Sequence, residues 1–250
     1  MPGHEAAKAK SGERRGRCDS RHDSAKAMNG NESREVYIPI DGGALQGTLE
    51  RPAGATGVVI FAHGAGSSRF SPRNRFVAGE LRAAGVGTLL FDLLTEEEAA
   101  DRANVFDIDL LADRLVRATE RVRSEREGEG EPIGYFGAST GAAAALVAAA
   151  RLGDVVAAIV SRGGRPDLAG LALREVTAPT LLIVGGADEV VLELNREAYE
   201  ELTAEKELVV VPGATHLFEE PGALEQVAAL AAEWFTRHLG SRGRIRRAAA

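Results

Sequence analysis

The chain predicts an α/β fold: a mostly parallel, doubly wound sheet with an antiparallel hairpin at its N-terminal end. Three observations carry this. Continuous apolar runs such as GVVIFAH (57–63) and PTLLIVGG (179–186) read as strands buried on both faces. Runs with helical spacing separate most of them, and strand–helix alternation implies a parallel sheet covered by helices on both sides. The first two runs, EVYIPI (35–40) and ALQGTLER (44–51), instead flank Asp41-Gly42-Gly43, which reads as a hairpin turn.

The elements follow in order. Residues 1–33 are polar and unpatterned and are expected to form a disordered basic tail; 34–240 form one domain and 241–250 a second basic tail. After the hairpin and the 57–63 strand, SPRNRFVAGELRAAG (71–85) has helical spacing, with Ser71 as N-cap and Pro72 at the first helical position. VGTLLFD (86–92) is a strand. Ile108 to Arg123 places Leu110, Leu111, Leu115 and Val116 on one helical face. PIGYFG (132–137) is a strand that runs into an Ala-rich helix at Thr140–Leu152. VAAIVSR (156–162), PTLLIVGG and KELVVVP (206–212) complete the strands, with helices at about 192–203 and 222–239. EREGEGE (125–131) reads as a charged surface loop, and 64–75, 92–107 and 162–178 hold the loops that shape any pocket.

Composition bounds the function. Hydrophobic residues make up 44% of the chain and aromatics 5%, so the core is mostly Ala, Val and Leu. No apolar stretch is long and charge-free enough to span a bilayer, and the N-terminus lacks the apolar segment of a secretory signal. The single cysteine, Cys18, excludes an intrachain disulfide; a cytoplasmic location is expected. Net charge is −7, yet residues 1–34 carry eight Lys and Arg against five Asp and Glu, and 241–250 carry four Arg and no acid. The body between them is therefore more acidic than the whole, which argues against a nucleic-acid surface on the fold. There is no His-x-His, no HExxH and no Cys pair, so no metal is expected. HGAGSS (63–68) lacks the Gly-Lys-Ser/Thr ending of a phosphate-binding loop and does not fit G-x-G-x-x-G, so no nucleotide cofactor is expected either.

Gly137-Ala138-Ser139-Thr140-Gly141 is a G-x-S-x-G. With 29 Gly and 11 Ser in the chain, chance supplies roughly 0.15 such matches, so the pattern alone decides little. Its context decides more. Ser139 follows the 132–137 strand, Asp188 follows the 179–186 strand, and His216 follows the 206–212 strand. A nucleophile, an acid and a base thus stand at carboxyl ends of successive strands, where open α/β sheets bind their ligands. A neutral serine needs a base to take its proton, histidine titrates near neutrality, and a carboxylate fixes the imidazole tautomer. Of the five histidines, His4 and His22 lie in the tail, His238 near the end of the last helix, and His63 beside the glycine loop, where it shapes that loop. His216 remains as the base. Glu189 and Asp167 are the competing acids near Asp188 and Arg162.

Over about Glu35 to Leu239 the chain resembles an α/β-hydrolase of the dienelactone-hydrolase type. The resemblance is carried by FAHGAGSS, LLFDLLT, GYFGASTGAAAAL, VSRGGRPDLA, PTLLIVGGADEVV and GATHLFEEPG. It implies the α/β-hydrolase fold, a Ser139–Asp188–His216 triad, and an oxyanion hole made by the backbone N–H groups of Ala65 and Thr140. The family's namesake uses a cysteine nucleophile; Ser139 stands at that position here, which implies an esterase-like member acting on a small carboxylic ester or related acyl substrate. Arg162, at the end of its strand, is a candidate for binding a substrate carboxylate, with an ion pair to Asp167 as the competing reading. Two alternatives remain: a non-catalytic module of the same fold that binds a ligand or protein, and an acyltransferase using the same triad. Neither a membrane nor a nucleic-acid partner is expected.

Overall fold

The computed structural model describes residues 25–28, 31–125 and 130–248, with side chains described for 31–125 and 130–240. Its strands are β1 (Ala25–Met28), β2 (Asn31–Ile40), β3 (Gly43–Arg51), β4 (Val58–Ala62), β5 (Gly87–Phe91), β6 (Ile133–Ala138), β7 (Val156–Arg162), β8 (Thr180–Gly185) and β9 (Lys206–Val211). The helices are α1 (Pro72–Ala83), α2 (Glu96–Ala100), α3 (Arg102–Val105), α4 (Ile108–Arg123), α5 (Thr140–Leu152), α6 (Glu189–Glu201) and α7 (Ala223–Ala248). The nine strands form one sheet in the order β1-β2-β3-β5-β4-β6-β7-β8-β9. β1, β2, β3 and β5 are joined antiparallel, and β5 through β9 are parallel. The expected hairpin and the mostly parallel, doubly wound sheet are both present.

Period-two alternation divides the core between the two faces. Val58, Ile60, Phe91, Ile133 and Tyr135 pack on the side of α4 and α5. Val59, Phe61, Phe136, Val160 and Ile183 pack on the other, against α1 and the Trp234–Phe235 turn of α7. α5 is buried from Thr140 to Ala149. Its alanines let the helix axis approach the sheet closely.

Local chemistry explains the helix starts. Ser71 caps α1 by accepting from the Asn74 N–H (3.4 Å), with Pro72 at the first helical position. Thr95 and Glu98 form a reciprocal capping box that starts α2, and Asp107 caps α4.

Several boundaries differ from the sequence reading. β1 and the first residues of β2 lie in the span assigned to the N-terminal tail. They are held by pairing: β2 runs in register with β3 as far as Glu32 opposite Arg51, and those two side chains form an ion pair. Such pairing leaves no local pattern to read. α7 continues through 241–248, assigned to the C-terminal tail, because the apolar repeat ends at Leu239 while helix-favouring Arg and Ala continue. The stretch read as a loop at 92–107 contains α2 and α3, and 166–175 forms two 3₁₀ turns joined across a kink at Gly170. β9, expected to be buried, is only partly so because it is the outer strand. Residues 1–24, including Cys18, lie outside the described residues.

β4 lies between β5 and β6, and the chain leaves it by α1 on one face and returns to β6 by α4 on the other. This reversal opens a crevice at the carboxyl ends of β4 and β6. Three backbones meet there. A Cβ on Gly141 would overlap the Ala62 carbonyl oxygen and stand 2.6 Å from that of His63; one on Gly137 would stand 2.8 Å from the Ala142 nitrogen. Gly141→Ala should therefore destabilise the fold by several kcal/mol or abolish it. Gly79→Ala, in α1 with no described atom nearer than 4.0 Å, should stabilise it by about 0.5–1 kcal/mol. Denaturant unfolding of the two variants checks both signs.

Candidate active site

Ser139 sits between β6 and α5 with φ 52° and ψ −124°, a left-handed conformation that a non-glycine residue adopts only under constraint. The constraint is visible: its N–H points to the Arg162 carbonyl (3.4 Å), and its own carbonyl accepts from Ala142 (3.1 Å) and Arg165 (3.0 Å). Although Ser139 is the N-cap of α5, its side chain makes no capping bond, so the hydroxyl is not spent on the helix. Gly64 crosses directly over it, close enough that a Cβ there would stand 2.9 Å from Ser139 Cβ.

Asp188 and His216 come together. His216 Nδ1 and Asp188 Oδ2 are 2.7 Å apart, with the aspartate side chain 17% exposed and the histidine 38%. Their loops are tied by backbone bonds: Gly186 donates to Val211 (2.8 Å) and Ala187 to Ala214 (2.9 Å). The approach needs Gly185, whose Cβ would overlap the Ala214 carbonyl. Glu189, the competing acid, is exposed in the first turn of α6. Behind His216, Phe218 is buried at φ 56° and anchors the loop. The turn Arg162–Arg165 links the two halves of the site: it bonds Ser139 as above, and Gly163 packs against His216, its Cβ position 3.1 Å from that residue's carbonyl oxygen.

Two polar residues that the sequence did not single out hold this frame. Asn195, fully buried on α6, donates to the Gly164 carbonyl at 2.9 Å. Asp92 clamps the glycine loop by accepting from the Arg69 N–H (2.8 Å) and guanidinium (2.6 Å). His63 does the same from the other side. Its Nε2 accepts from the Leu93 N–H (3.1 Å), so its proton is on Nδ1 and faces the Gly64 carbonyl (3.0 Å). Burial lowers its pKa from the usual 6.5; the Gly64 bond and the Asp92 charge offset only part of this. The expected role of His63 in shaping the loop has a concrete form: a neutral ring that spans two backbone groups. His238, which the sequence placed in the last turn of a helix, lies within one, since α7 runs on to Ala248; its ring packs beside Trp234 at 4.5 Å.

The expected oxyanion groups stand at the same crevice. Thr140 opens α5, where N–H groups lack intrahelical acceptors. The Ala65 N–H is occupied: it donates to Thr140 Oγ1 at 3.0 Å. A cavity of about 670 Å³ reaches Gly64, Ala65 and Thr140 and extends toward Leu93, Val105 and Phe70. Its lining does not include Ser139, Asp188, His216 or Arg162. Arg162 is 7% exposed, its guanidinium 3.4 Å from Asn74 Oδ1 and over the Phe218 ring at 6.0 Å. No carboxylate among the described residues pairs with it. Asp167, the proposed competitor, is taken by Arg165 through two bonds of 2.9 and 2.7 Å. Burial and the Arg73 charge pull Arg162 down to about 10. Among the described residues no group of three or more His, Cys, Asp or Glu is placed to hold a metal ion, and no helix is long and apolar enough to cross a membrane.

Comparison with known proteins follows the same residues. The sequence model of the Dienelactone hydrolase family matches residues 45–239. A solved dienelactone hydrolase from Anabaena variabilis is 54% identical, with a TM-score of 0.80 over 84% of this chain and 99% of that one. The Est1E structure from Butyrivibrio proteoclasticus is 18% identical with a TM-score of 0.69, over 82% and 98% of the two chains, a likeness of fold. Two Mycobacterium tuberculosis proteins, provisionally named phosphoribosyl transferases, are 59% identical over 205 residues. That is 82% of this chain and 46% of theirs, so the chain spans about half the length of the curated relatives it matches.

The His63 geometry fixes a sign for acid stability. Its folded pKa lies below its unfolded value, so its contribution is complete above about 6.5 and is lost as pH falls through the folded value. The unfolding free energy of the wild type should decline between pH 7 and 5. His63→Gln, whose amide oxygen can still accept from Leu93, should show a shallower decline; equal slopes in urea titrations would count against the neutral ring.

Proposed function

The chain belongs to the dienelactone hydrolase family and has the α/β-hydrolase fold, and from that premise we propose that it is a serine hydrolase of carboxylic esters or related acyl compounds, with Ser139, Asp188 and His216 as its triad. The observation that carries this is the 2.7 Å pair of Asp188 and His216 Nδ1, set across the Arg162–Arg165 turn from a strained serine. An aspartate on Nδ1 keeps the proton there and leaves the Nε2 lone pair free to accept one. Ser139 Oγ gives its proton to Nε2 as it bonds to the acyl carbon. The carbonyl oxygen becomes an oxyanion held at the start of α5. Collapse breaks the bond to the leaving alcohol, which takes the proton from His216. Water then repeats the sequence and frees the acid. The strained backbone holds Ser139 above the helix start, so no rearrangement is needed when charge develops.

The transferase name of the Mycobacterium relatives attaches to proteins of which this chain spans 46%; we assign that name to the length not represented here. A cytoplasmic location and a small-molecule substrate remain part of the proposal. Acyl transfer to an alcohol or amine is the enzymatic alternative and is separated by product analysis with added acceptors.

Arg162 belongs to the proposal as an anion-binding group. A buried guanidinium without a carboxylate, its Nε without a partner among the described residues, is an incomplete electrostatic arrangement. An anionic group on the substrate would complete it.

Purified protein should hydrolyse p-nitrophenyl esters and be labelled on Ser139 by a fluorophosphonate. Ser139→Ala should abolish both, and Asp188→Asn should lower kcat on the order of 10⁴-fold; wild type and Ser139→Ala equally inert would end the hydrolase reading. For Arg162, the Met variant should raise KM for a carboxylate-bearing ester at least tenfold more than for its neutral analogue. Equal effects on both would make it a support for the Phe218 loop alone.

A further inference from the structure

The side chain of Thr140 has a task that its position in the helix does not explain. It is 4% exposed at the first position of α5 and lines the 670 Å³ cavity together with Gly64 and Ala65. A threonine hydroxyl has one proton and two lone pairs. One lone pair takes the Ala65 N–H at 3.0 Å. The proton goes to no acceptor among the described residues. Inside a helix a threonine usually gives it to the carbonyl four residues back, as Thr119 does to Leu115 at 2.9 Å. At the first helical position the residues behind are the Ser139 elbow and β6, and that outlet is missing. A hydroxyl proton without an acceptor among the described residues, at the wall of a cavity beside Ser139, is available to a group that enters that cavity.

The Ala65 N–H sharpens the case. In the oxyanion reading it should point free into the crevice, yet the hydroxyl of Thr140 already accepts it. The free proton at that wall of the cavity is therefore the one on the Thr140 hydroxyl, not the one on the Ala65 N–H. We propose that the Thr140 hydroxyl is a catalytic hydrogen-bond donor to the acyl carbonyl oxygen, and that the Ala65 N–H acts through it, orienting and polarising the O–H. This rests on the serine-hydrolase reading. As the Ser139 Oγ–carbon bond forms, the carbonyl π pair moves onto oxygen. The Thr140 N–H and O–H both donate to that charge, and neither proton is transferred. When the pair returns and the bond to the leaving oxygen breaks, both hydrogen bonds relax. Donation by Ala65 to the threonine oxygen strengthens the outgoing bond in the same chain.

Thr140→Val replaces the hydroxyl by a methyl of similar shape, and Thr140→Ser keeps the hydroxyl without the methyl. Each is assayed with a p-nitrophenyl ester and with the corresponding thionoester, whose sulfur is a poor acceptor. Thr140→Val should lower kcat by about 10²–10³-fold with little change in KM. Thr140→Ser should recover most of that loss. The ratio of ester to thionoester rates, large in the wild type, should shrink in Thr140→Val because the bond that sulfur weakens is already gone. A Thr140→Val enzyme as fast as the wild type, or faster, would mean that the hydroxyl only occupies the Ala65 N–H, and the proposal falls. It falls as well if Val and Ser variants are equally slow with an unchanged ratio, the mark of a packing role. If Thr140→Val does not fold by thermal unfolding, Thr140→Ala against Thr140→Ser gives the same comparison. Inert wild type together with inert Ser139→Ala defeats the hydrolase reading and this one with it; active wild type, inert Ser139→Ala and unimpaired Thr140→Val defeats this one alone.

Discussion

The site depends on one steric constraint: three backbones pass through the space around Ser139. β6 enters, α5 leaves, and the glycine loop after β4 crosses above. Gly137 and Gly141 lack the Cβ atoms that would collide with Ala142, Ala62 and His63, and Gly64 lies against Ser139 itself. The positive φ of Ser139 follows from this geometry, because a chain that turns from strand to helix within one residue has no unstrained alternative. The buried alanines of α5 serve the same end. They bring the helix start down to the sheet, so its unpaired N–H groups open where the strands end.

Around that centre, polar groups are placed by non-local bonds. His63 is held neutral by burial and joins Leu93 to Gly64. Asp92 neutralises Arg69 and holds the other flank of the loop. Asn195 ties α6, and with it Asp188, to the Gly164 turn. These bonds tie the scaffold side of the site together across separate elements. The exception is Arg162. Other buried arginines have acids: Arg51 meets Glu131, and Arg114 meets Glu98. Among the described residues Arg162 has only an amide oxygen and a ring face.

Much of this was legible in the sequence because it is local. α4 and α5 end where periodicity and the elbow place them, β7 coincides with its apolar run, and Ser71-Pro72 starts α1. The order Ser139, Asp188, His216 followed from strand ends alone. What was not legible is non-local or too short to show a period. β1 and the start of β2 are strands because β3 exists. α2 and α3 are four or five residues long, although the Thr95–Glu98 box that starts α2 was a readable signal. The family pattern favoured Asp188 over Glu189, but nothing in the sequence tells that Asp167 is spent on Arg165 or that the Ala65 N–H lands on a threonine side chain.

The same division bears on specificity. Ser139, Asp188 and His216 sit at the ends of strands, but the cavity beside them is walled by other segments. It spreads from Thr140 over the end of β5 to Leu94, Thr95 and Val105, and back to the hairpin at Gln46. Those walls come from the short helices after β5, from the glycine loop and from β3. Phe70 and Phe106 stand exposed on the first two, apolar surface in segments bounded by Arg69, Asp92 and Glu96. A cavity of this volume is in the range that encloses a drug-sized ligand, larger than a short-chain ester requires. The residues of the proposed triad thus come from segments that sequence pattern reveals, and the cavity walls from segments that it does not. On the proposed hydrolase reading, a substrate with an apolar body and a few polar groups matches these walls, its carbonyl lying between Thr140 and Ser139.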